Sequence, residues 1–163
     1  AVRLTATALA LEDLELKEVD LLSGEQMGPQ YTQINPQHCV PTLVEDDFIL
    51  WESRAVMAYL VGQYGDDDAL YPSEPRIRAK VDRLLYFDMG TLYHRYSKYA
   101  YPVVLHGESP DSSVLETIHE ALGWLDNWLG ESGGDWAIGD QITIADHSLA
   151  STLATIEASD IDL

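Results

Sequence analysis

Residues 35–54 read Asn-Pro-Gln-His-Cys-Val-Pro-Thr-Leu-Val-Glu-Asp-Asp-Phe-Ile-Leu-Trp-Glu-Ser-Arg, and the organisation of the chain follows from them. Two short apolar runs, 41–44 and 48–51, flank an acidic triplet at 45–47, which predicts a β-hairpin. Pro41 stands where the first strand begins, directly after a loop. A proline in that position is compatible with a cis peptide bond.

A helix is predicted to follow the hairpin. Ser53 is expected to cap it, because apolar side chains recur at four-residue steps from Val56 to Tyr64 and Gly65 then ends the pattern. Three weaker patterns lie upstream: a helix over 1–11, a strand over 14–19 and a short helix over 29–34. The first part of the chain is therefore a small α/β domain.

The second part of the chain is helical. Pro72 and Pro75 interrupt the chain after an acidic loop. Beyond them, apolar residues recur at helical spacing over residues 76 to about 104, 112–129 and 143–159. We predict an α/β domain at 1–65, a linker at 66–75 and an all-α domain at 76–163.

Charge and cysteine content exclude several classes of function. Nine Lys and Arg against 28 Asp and Glu give the 163 residues a net charge of −19. Such a surface repels phosphates and anionic lipids, so we expect neither nucleic acid nor a membrane as a partner. Cys39 is the one cysteine, which excludes an internal disulfide and a CxxC motif. We expect no metal site and a cytoplasmic location.

The loop before Pro41 offers a site for an extended ligand. Proline has no N–H, so the strand edge is open just before it, and the N–H and C=O of Val40 can pair with a peptide as an added strand would. His38 is placed to meet a carboxylate. A plain proline turn explains the same spacing, and both interpretations stay open on spacing alone.

The strand-to-helix junction at 51–54 offers complementary charges. A helix N-terminus presents unpaired N–H groups and a positive potential, and Ser53 and Arg54 add a hydroxyl and a guanidinium. Glu52 suits an ammonium group, so the three residues together fit an amino acid zwitterion. An ordinary capped helix with a solvated Arg54 is the alternative.

These segments resemble the cytosolic glutathione transferases, most closely the insect delta class. The similarity lies in Asn-Pro-Gln-His-x-Val-Pro-Thr-Leu-Val, Leu-Trp-Glu-Ser-Arg-Ala-Val, Leu-Tyr-Pro and Leu-Tyr-Phe-Asp-Met-Gly-Thr-Leu-Tyr, and it covers essentially the whole chain. It implies an α/β plus all-α fold, with a thioredoxin-like N-terminal domain and a helical-bundle C-terminal domain. It also implies glutathione as co-substrate, small hydrophobic electrophiles as second substrates and a homodimer.

The resemblance also implies roles for individual residues. Val40, before a cis proline, would pair its backbone with the cysteinyl part of glutathione. Glu52 and Ser53 would bind the γ-glutamyl end, and His38 and Arg54 would bind carboxylates. The implied glutathione-binding set is His38, Val40, Pro41, Glu52, Ser53 and Arg54. The implied electrophile pocket is Tyr93, Tyr96 and Tyr101, although aromatic stripes on helices more often pack in a core.

Three departures from the family pattern bear on these expectations. The family's first strand, and the serine hydroxyl that would stabilise the thiolate, lie upstream of Ala1. No residue of this chain is therefore assigned as catalytic, and we expect a fragment that lacks the first strand. Gln26 stands where many delta members carry a histidine. The chain stops at Leu163, before the family's last helices.

Two remaining features are interpreted as structural. Thr143 and Asp146, in Thr-Ile-Ala-Asp, predict a capping box at the start of a helix. Cys39 lacks the partners of a nucleophile and is expected to pack or to be incidentally exposed. Four histidines are not expected to act in chemistry: His94, His106 and His119 at the surface, and His147.

We therefore expect an enzyme, a glutathione transferase that conjugates the glutathione thiolate to hydrophobic electrophiles in detoxification. A non-catalytic glutathione-binding or structural protein on the same fold is one alternative, because a fold does not determine a function. A cysteine-dependent thiol transferase is another. The residue at the upstream catalytic position discriminates among the three hypotheses. Serine or tyrosine there favours the transferase, an apolar residue favours the binding protein, and cysteine favours the thiol transferase.

Overall fold

The computed structural model describes residues 1–159 and 161 and divides the chain into two compact units, Ala1–Asp66 and Asp67–Leu163. The N-terminal unit combines helices with a small sheet, and the other unit is helical. The predicted fold class, α/β followed by all-α, is confirmed.

The N-terminal unit contains one hairpin and three α-helices. In chain order its elements are α1 (Val2–Ala8), a 3₁₀ turn (Glu25–Met27), α2 (Pro29–Thr32), β1 (Thr42–Glu45), β2 (Phe48–Trp51) and α3 (Ser53–Tyr64). The strands are antiparallel, and Thr42 pairs with Trp51 at the open end of the hairpin. Asp46 has a φ of 51°, as a two-residue hairpin turn requires at its first central position. The predicted hairpin is therefore present.

A small apolar core positions α3 within this unit. Ala6 of α1 and Val56 and Leu60 of α3 are at most 4% exposed and pack together. Partly buried residues from both strands, Leu43 and Leu50, pack against the same cluster. Because α3 is packed on α1 and on the hairpin, its N-terminus is held directly after β2.

The strand predicted over residues 14–19 is wrong. These residues have no regular secondary structure, and within the part of the chain that the structure describes the sheet consists of β1 and β2. A strand exists only where its backbone pairs with a neighbouring strand. The alternation of apolar Leu14 and Leu16 with glutamates indicates an extended backbone, and no described segment pairs with it.

The described residues of the helical unit form four α-helices. They are α4 (Pro75–Phe87), α5 (Tyr93–His106), α6 (Ser112–Glu131) and α7 (Ile144–Glu157). The side chains of Val81, Leu92, Ile118, Ile144 and Ile156 are 0% exposed and mark its core. The single helical pattern predicted from residue 76 to about 104 is divided by a π-helical segment, Asp88–Leu92.

The capping box at Thr143 and Asp146 is present and extends further than the four-residue pattern indicates. The Thr143 hydroxyl accepts a hydrogen bond from Ala145 N–H, and Asp146 Oδ2 accepts one from Thr143 N–H at 2.8 Å. Asp146 Oδ1 also accepts one from the N–H of Ala137, at 2.8 Å. The carboxylate therefore connects the start of α7 to the preceding loop.

Replacement of Asp146 with alanine is expected to lower the free energy of unfolding by about 1–2 kcal/mol. The substitution removes the N3 half of the capping box and the bond to Ala137 N–H, and helix capping contributes roughly 0.5–2 kcal/mol. Urea unfolding measures the change. Asp135→Ala is the matched control, because Asp135 is an exposed residue of equal charge in the same loop region. An equal effect of the two substitutions would contradict the capping role.

His147 is predicted to make the protein less stable in acid. The side chain is 6% exposed, and burial lowers its pKa below the usual 6.5, although the Asp146 charge opposes that shift. The unfolded chain therefore takes up a proton at a higher pH than the folded chain does. The contribution of His147 to stability is complete above about pH 6.5 and is lost as the pH falls through the lowered folded pKa.

The His147→Leu variant measures this contribution. Its free energy of unfolding is expected to depend less on pH than that of the wild type between pH 7 and about pH 5. His119 is exposed on α6, so His119→Leu is expected to keep the wild-type slope. Parallel slopes for wild type and His147→Leu would contradict the prediction.

No helix in the described part of the chain is long and apolar enough to cross a membrane. The side chains of His94, His106 and His119 are exposed, as predicted.

Candidate functional site

The loop that enters β1 has an unusual backbone. The Val40–Pro41 peptide bond is cis, the geometry that Pro41 allowed. His38 has a φ of 45°, so the segment before Val40 is not uniformly extended, and His38, Val40 and Pro41 are all exposed. The side chain of Cys39 between them is half-buried.

The backbone of Val40 is exposed and unpaired. The residue is 42% exposed. Within residues 1–159 and 161, no hydrogen bond reaches the N–H or the C=O of Val40, because β1 begins at Thr42. An exposed donor and acceptor on one residue can pair with an extended peptide in the manner of an added strand.

Three side chains surround the carbonyl of Cys39, one residue earlier. Tyr31 Oη donates to that oxygen at 2.7 Å, Asn35 Nδ2 at 3.1 Å and Thr42 Oγ1 at 3.1 Å. Asn35 is 0% exposed, and its Oδ1 accepts a hydrogen bond from Gln37 N–H. We call Tyr31, Asn35 and Thr42 the carbonyl cluster.

The junction between β2 and α3 presents the three predicted polar residues. Glu52 is exposed with a φ of 70°, and the helix starts at Ser53. Ser53 is therefore the first helical residue and not the cap, so that prediction is wrong. Glu52 occupies the cap position without a capping hydrogen bond from its side chain, and Ser53 Oγ instead accepts one from Arg54 Nη1 at 3.0 Å.

A side-chain hydrogen bond joins the loop and the junction. Trp51 Nε1 donates to Gln37 Oε1 at 2.7 Å, and the backbone of Trp51 pairs with Thr42 in the hairpin. Residues 37–41 and 51–54 are therefore adjacent in the N-terminal unit. The combined surface offers an unpaired backbone donor and acceptor, a helix N-terminus, a guanidinium and a carboxylate. This set suits a short extended peptide that ends in a zwitterion.

The predicted aromatic residues of α5 form a separate hydrogen-bonded group in the helical unit. Tyr93 and Tyr101 share a hydrogen bond between their phenol oxygens at 2.8 Å, and the rings of Tyr93 and Tyr96 lie 5.9 Å apart. Tyr96 is 6% exposed and shares a hydrogen bond with Ser159, whereas Tyr101 is 46% exposed. Tyr96 is therefore part of the core, whereas Tyr101 is exposed.

Sequence reasoning missed the carbonyl cluster and the link between Gln37 and Trp51. The signal for Asn35 was available, because asparagine before proline favours a turn in which its side chain bonds to the backbone. No comparable signal exists for Tyr31 or Gln37, whose partners lie 8 and 14 residues away. Within residues 1–159 and 161, no three His, Cys, Asp or Glu side chains lie close enough to bind a metal ion.

Both parts of the chain match known protein families. Residues 2–62 match the glutathione S-transferase N-terminal domain, and residues 92–162 match the glutathione S-transferase C-terminal domain.

Individual proteins are similar over the full length of this chain. Glutathione S-transferase D6 of Drosophila melanogaster is 42% identical over 163 residues, which are 100% of this chain and 74% of that protein. A delta-class glutathione transferase of Nilaparvata lugens matches with a TM-score of 0.93 and 44% identity, over 99% of this chain and 75% of that one.

A glutathione transferase homologue of Drosophila mojavensis, solved with bound glutathione, matches with a TM-score of 0.91 and 35% identity. The match covers 96% of this chain and 71% of that one. With a relative 42% identical over the whole chain and a solved delta-class structure at 44% identity, the chain belongs to the glutathione S-transferase family.

Proposed function

We propose that this protein binds glutathione on residues 38–54 and transfers its thiolate to small hydrophobic electrophiles. The observation that carries the proposal is the exposed, unpaired backbone of Val40 beside the N-terminus of α3, in one unit of the family fold. The similar Drosophila mojavensis structure contains glutathione, which supports the same ligand here.

Each group of the site corresponds to a part of glutathione. The N–H and C=O of Val40 pair with the cysteinyl residue. The N-terminus of α3 and the Ser53 hydroxyl bind the γ-glutamyl carboxylate, and Glu52 binds the ammonium group. Arg54 and His38 bind the carboxylates. Pro41 completes the loop by leaving the Val40 edge without a competing strand partner.

The chemistry that follows binding is a nucleophilic substitution or addition. The cysteinyl sulfur of glutathione, as the thiolate, forms a bond to an electrophilic carbon. In a substitution the leaving group departs with the bonding pair, and in an addition the π bond breaks, its electron pair moves away from that carbon, and the product takes up a proton from solvent. The thiol proton passes to solvent. A hydrogen-bond donor to the sulfur would stabilise the thiolate, and we assign no catalytic residue within the 163 residues.

The second substrate is proposed to bind the tyrosines of α5. Tyr93 and Tyr101 present apolar ring faces and a joined pair of phenol oxygens, and Tyr96 supports the Tyr93 ring. Apolar walls with polar tips suit aromatic or unsaturated electrophiles. We further propose a homodimer, a cytoplasmic location and a role in detoxification, in line with the family.

A calorimetric titration with glutathione tests the proposal. We expect one site per chain and a release of heat that is absent with the amino acid alanine. Chemical-shift mapping during the same glutathione titration then locates the ligand, with the largest shifts expected at residues 38–54. Glutathione that does not bind, or that shifts only signals of the helical unit, would contradict the proposed site.

Product formation distinguishes an enzyme from the non-catalytic glutathione-binding protein. An enzyme produces the conjugate of glutathione and a chlorodinitrobenzene faster than the uncatalysed reaction, whereas a binding protein does not. The curated relatives are named as transferases, which favours the enzyme.

A further inference from the structure

We propose that Tyr31, Asn35 and Thr42, the carbonyl cluster, are positioning residues that direct the N–H of Val40 toward the ligand. This inference rests on the proposed function, because the ligand is the glutathione that Val40 binds there. None of the three side chains needs to touch glutathione for this role.

One peptide unit joins Cys39 to Val40. That unit contains the Cys39 carbonyl and the Val40 N–H, and it is trans, since among the described residues only the Val40–Pro41 bond is cis. In a planar trans peptide, the C=O and the N–H point in opposite directions. Whatever fixes the direction of the Cys39 oxygen therefore also fixes the direction of the Val40 N–H.

Several donors hold the Cys39 oxygen in place. Three donors lie within hydrogen-bond distance of it, at 2.7, 3.1 and 3.1 Å, from the three members of the carbonyl cluster. Asn35 Nδ2 also donates to Thr42 Oγ1 at 3.0 Å, which joins two members of the cluster directly. Tyr31 Oη lies 2.8 Å from the same oxygen, but each hydroxyl carries one hydrogen, so Tyr31 and Thr42 do not bond to each other while both donate to Cys39. A connected network of this kind resists rotation of the peptide more strongly than one hydrogen bond does.

Asn35 fixes the orientation of the whole network. Its Oδ1 accepts from Gln37 N–H, so its Nδ2 must face the Cys39 carbonyl and Thr42 Oγ1. The side chain is 0% exposed, and water therefore does not compete for these bonds. With the carbonyl directed into the cluster, the N–H of Val40 points away from it, on a residue that is 42% exposed.

Pro41 makes the direction of the Val40 N–H important for ligand binding. Proline has no N–H, so Val40 supplies the backbone donor nearest to the start of β1 on this edge. A donor held in one direction before binding loses less conformational entropy when the ligand arrives. The carbonyl cluster is therefore expected to contribute to glutathione affinity through the direction of one N–H bond.

The direction of the Val40 N–H bond is measured first, in the protein without ligand. Tyr31→Phe removes the donor at 2.7 Å and leaves the ring in place. Tyr59→Phe is the matched control, because it removes a phenol that bonds to Glu45 in the same unit and has no contact with Cys39. Residual dipolar couplings and ¹⁵N relaxation report the direction and the order of the Val40 N–H.

We expect the Val40 order parameter to fall in Tyr31→Phe, from about 0.85 toward the flexible range below about 0.6, and to stay unchanged in Tyr59→Phe. Asn35→Asp replaces a donor with an acceptor facing the carbonyl and is expected to act more strongly if it folds. If Asn35→Asp does not fold, the Val40 order parameter in Tyr31→Phe decides whether the cluster directs the N–H.

Calorimetry measures the effect of the cluster on glutathione affinity. Tyr31→Phe is expected to weaken glutathione binding about fivefold, as the loss of one neutral hydrogen bond does. A second ligand is an analogue of glutathione whose cysteinyl carbonyl is replaced by a methylene. Wild type and Tyr31→Phe are expected to bind this analogue with equal affinity, because it has no acceptor for the Val40 N–H. A merely structural role would weaken both ligands equally.

Several results would overturn the inference. They are an unchanged Val40 coupling in Tyr31→Phe, an equal affinity loss in Tyr59→Phe, or an equal loss for glutathione and for the methylene analogue. If the wild type binds no glutathione, the proposed function fails and the ligand role of the cluster fails with it. The dipolar couplings are independent of glutathione and still decide whether the cluster sets the peptide direction.

Discussion

Replacement of Arg54 with alanine is expected to weaken glutathione binding by about 1.5–3 kcal/mol, the range for a hydrogen bond to a charged group. That corresponds to roughly a ten- to hundredfold rise in the dissociation constant. The guanidinium lies at the start of α3, half-buried, with Nη1 bonded to Ser53 Oγ at 3.0 Å. Its loss removes a cation from the helix N-terminus at which we propose that a glutathione carboxylate binds.

Two further variants sharpen this measurement. Arg54→Lys keeps the charge but loses the planar fork of donors, so an intermediate affinity is expected. Arg76→Ala changes the net charge equally at an exposed position in α4 and is expected to leave the affinity unchanged. Equal affinities of wild type and Arg54→Ala would remove Arg54 from the proposed site.

Replacement of Leu60 with alanine is expected to lower the free energy of unfolding by about 2–5 kcal/mol. Leu60 is 1% exposed and packs with Ala6 and Val56 in the core between α1 and α3. The smaller side chain leaves a cavity beneath the helix whose first residues form part of the site. Because α3 loses support, glutathione affinity is expected to fall as well.

Urea unfolding followed by circular dichroism measures the loss at Leu60. Leu22→Ala is the control, since Leu22 is 87% exposed in the same unit. Leu60→Met keeps most of the volume and is expected to cost less than about 1.5 kcal/mol. A similar stability for Leu60→Ala and Leu22→Ala would contradict the assignment of this core.

Local patterns predicted the elements that depend on nearby residues. The hairpin over 41–51 follows from two apolar runs around a polar turn, and α3 follows from the four-residue spacing of its apolar side chains. The strand predicted over 14–19 was wrong because its existence depends on a pairing partner, which alternation does not reveal. The π-helical segment at Asp88–Leu92 breaks a continuous helical pattern without any local signal.

The same distinction applies to the site. The sequence indicated the exposed groups of the proposed site, because an open edge before Pro41 and a helix N-terminus at Ser53 are local features. It did not indicate the positive φ of Glu52, which a non-glycine residue seldom adopts, or the inversion of roles between Ser53 and Glu52 at the cap. It also did not indicate the carbonyl cluster, whose contacts join residues far apart in sequence.

The site proposed on residues 38–54 is tested most directly by thermal unfolding with and without glutathione. A ligand at about a hundred times its dissociation constant adds roughly 2.7 kcal/mol to the folded state, which for a chain of this size raises Tm by about 5–10 °C. We expect that rise for the wild type and a smaller rise, at the same glutathione concentration, for Arg54→Ala. A cooperative transition that glutathione does not move would contradict the proposal that these residues bind glutathione.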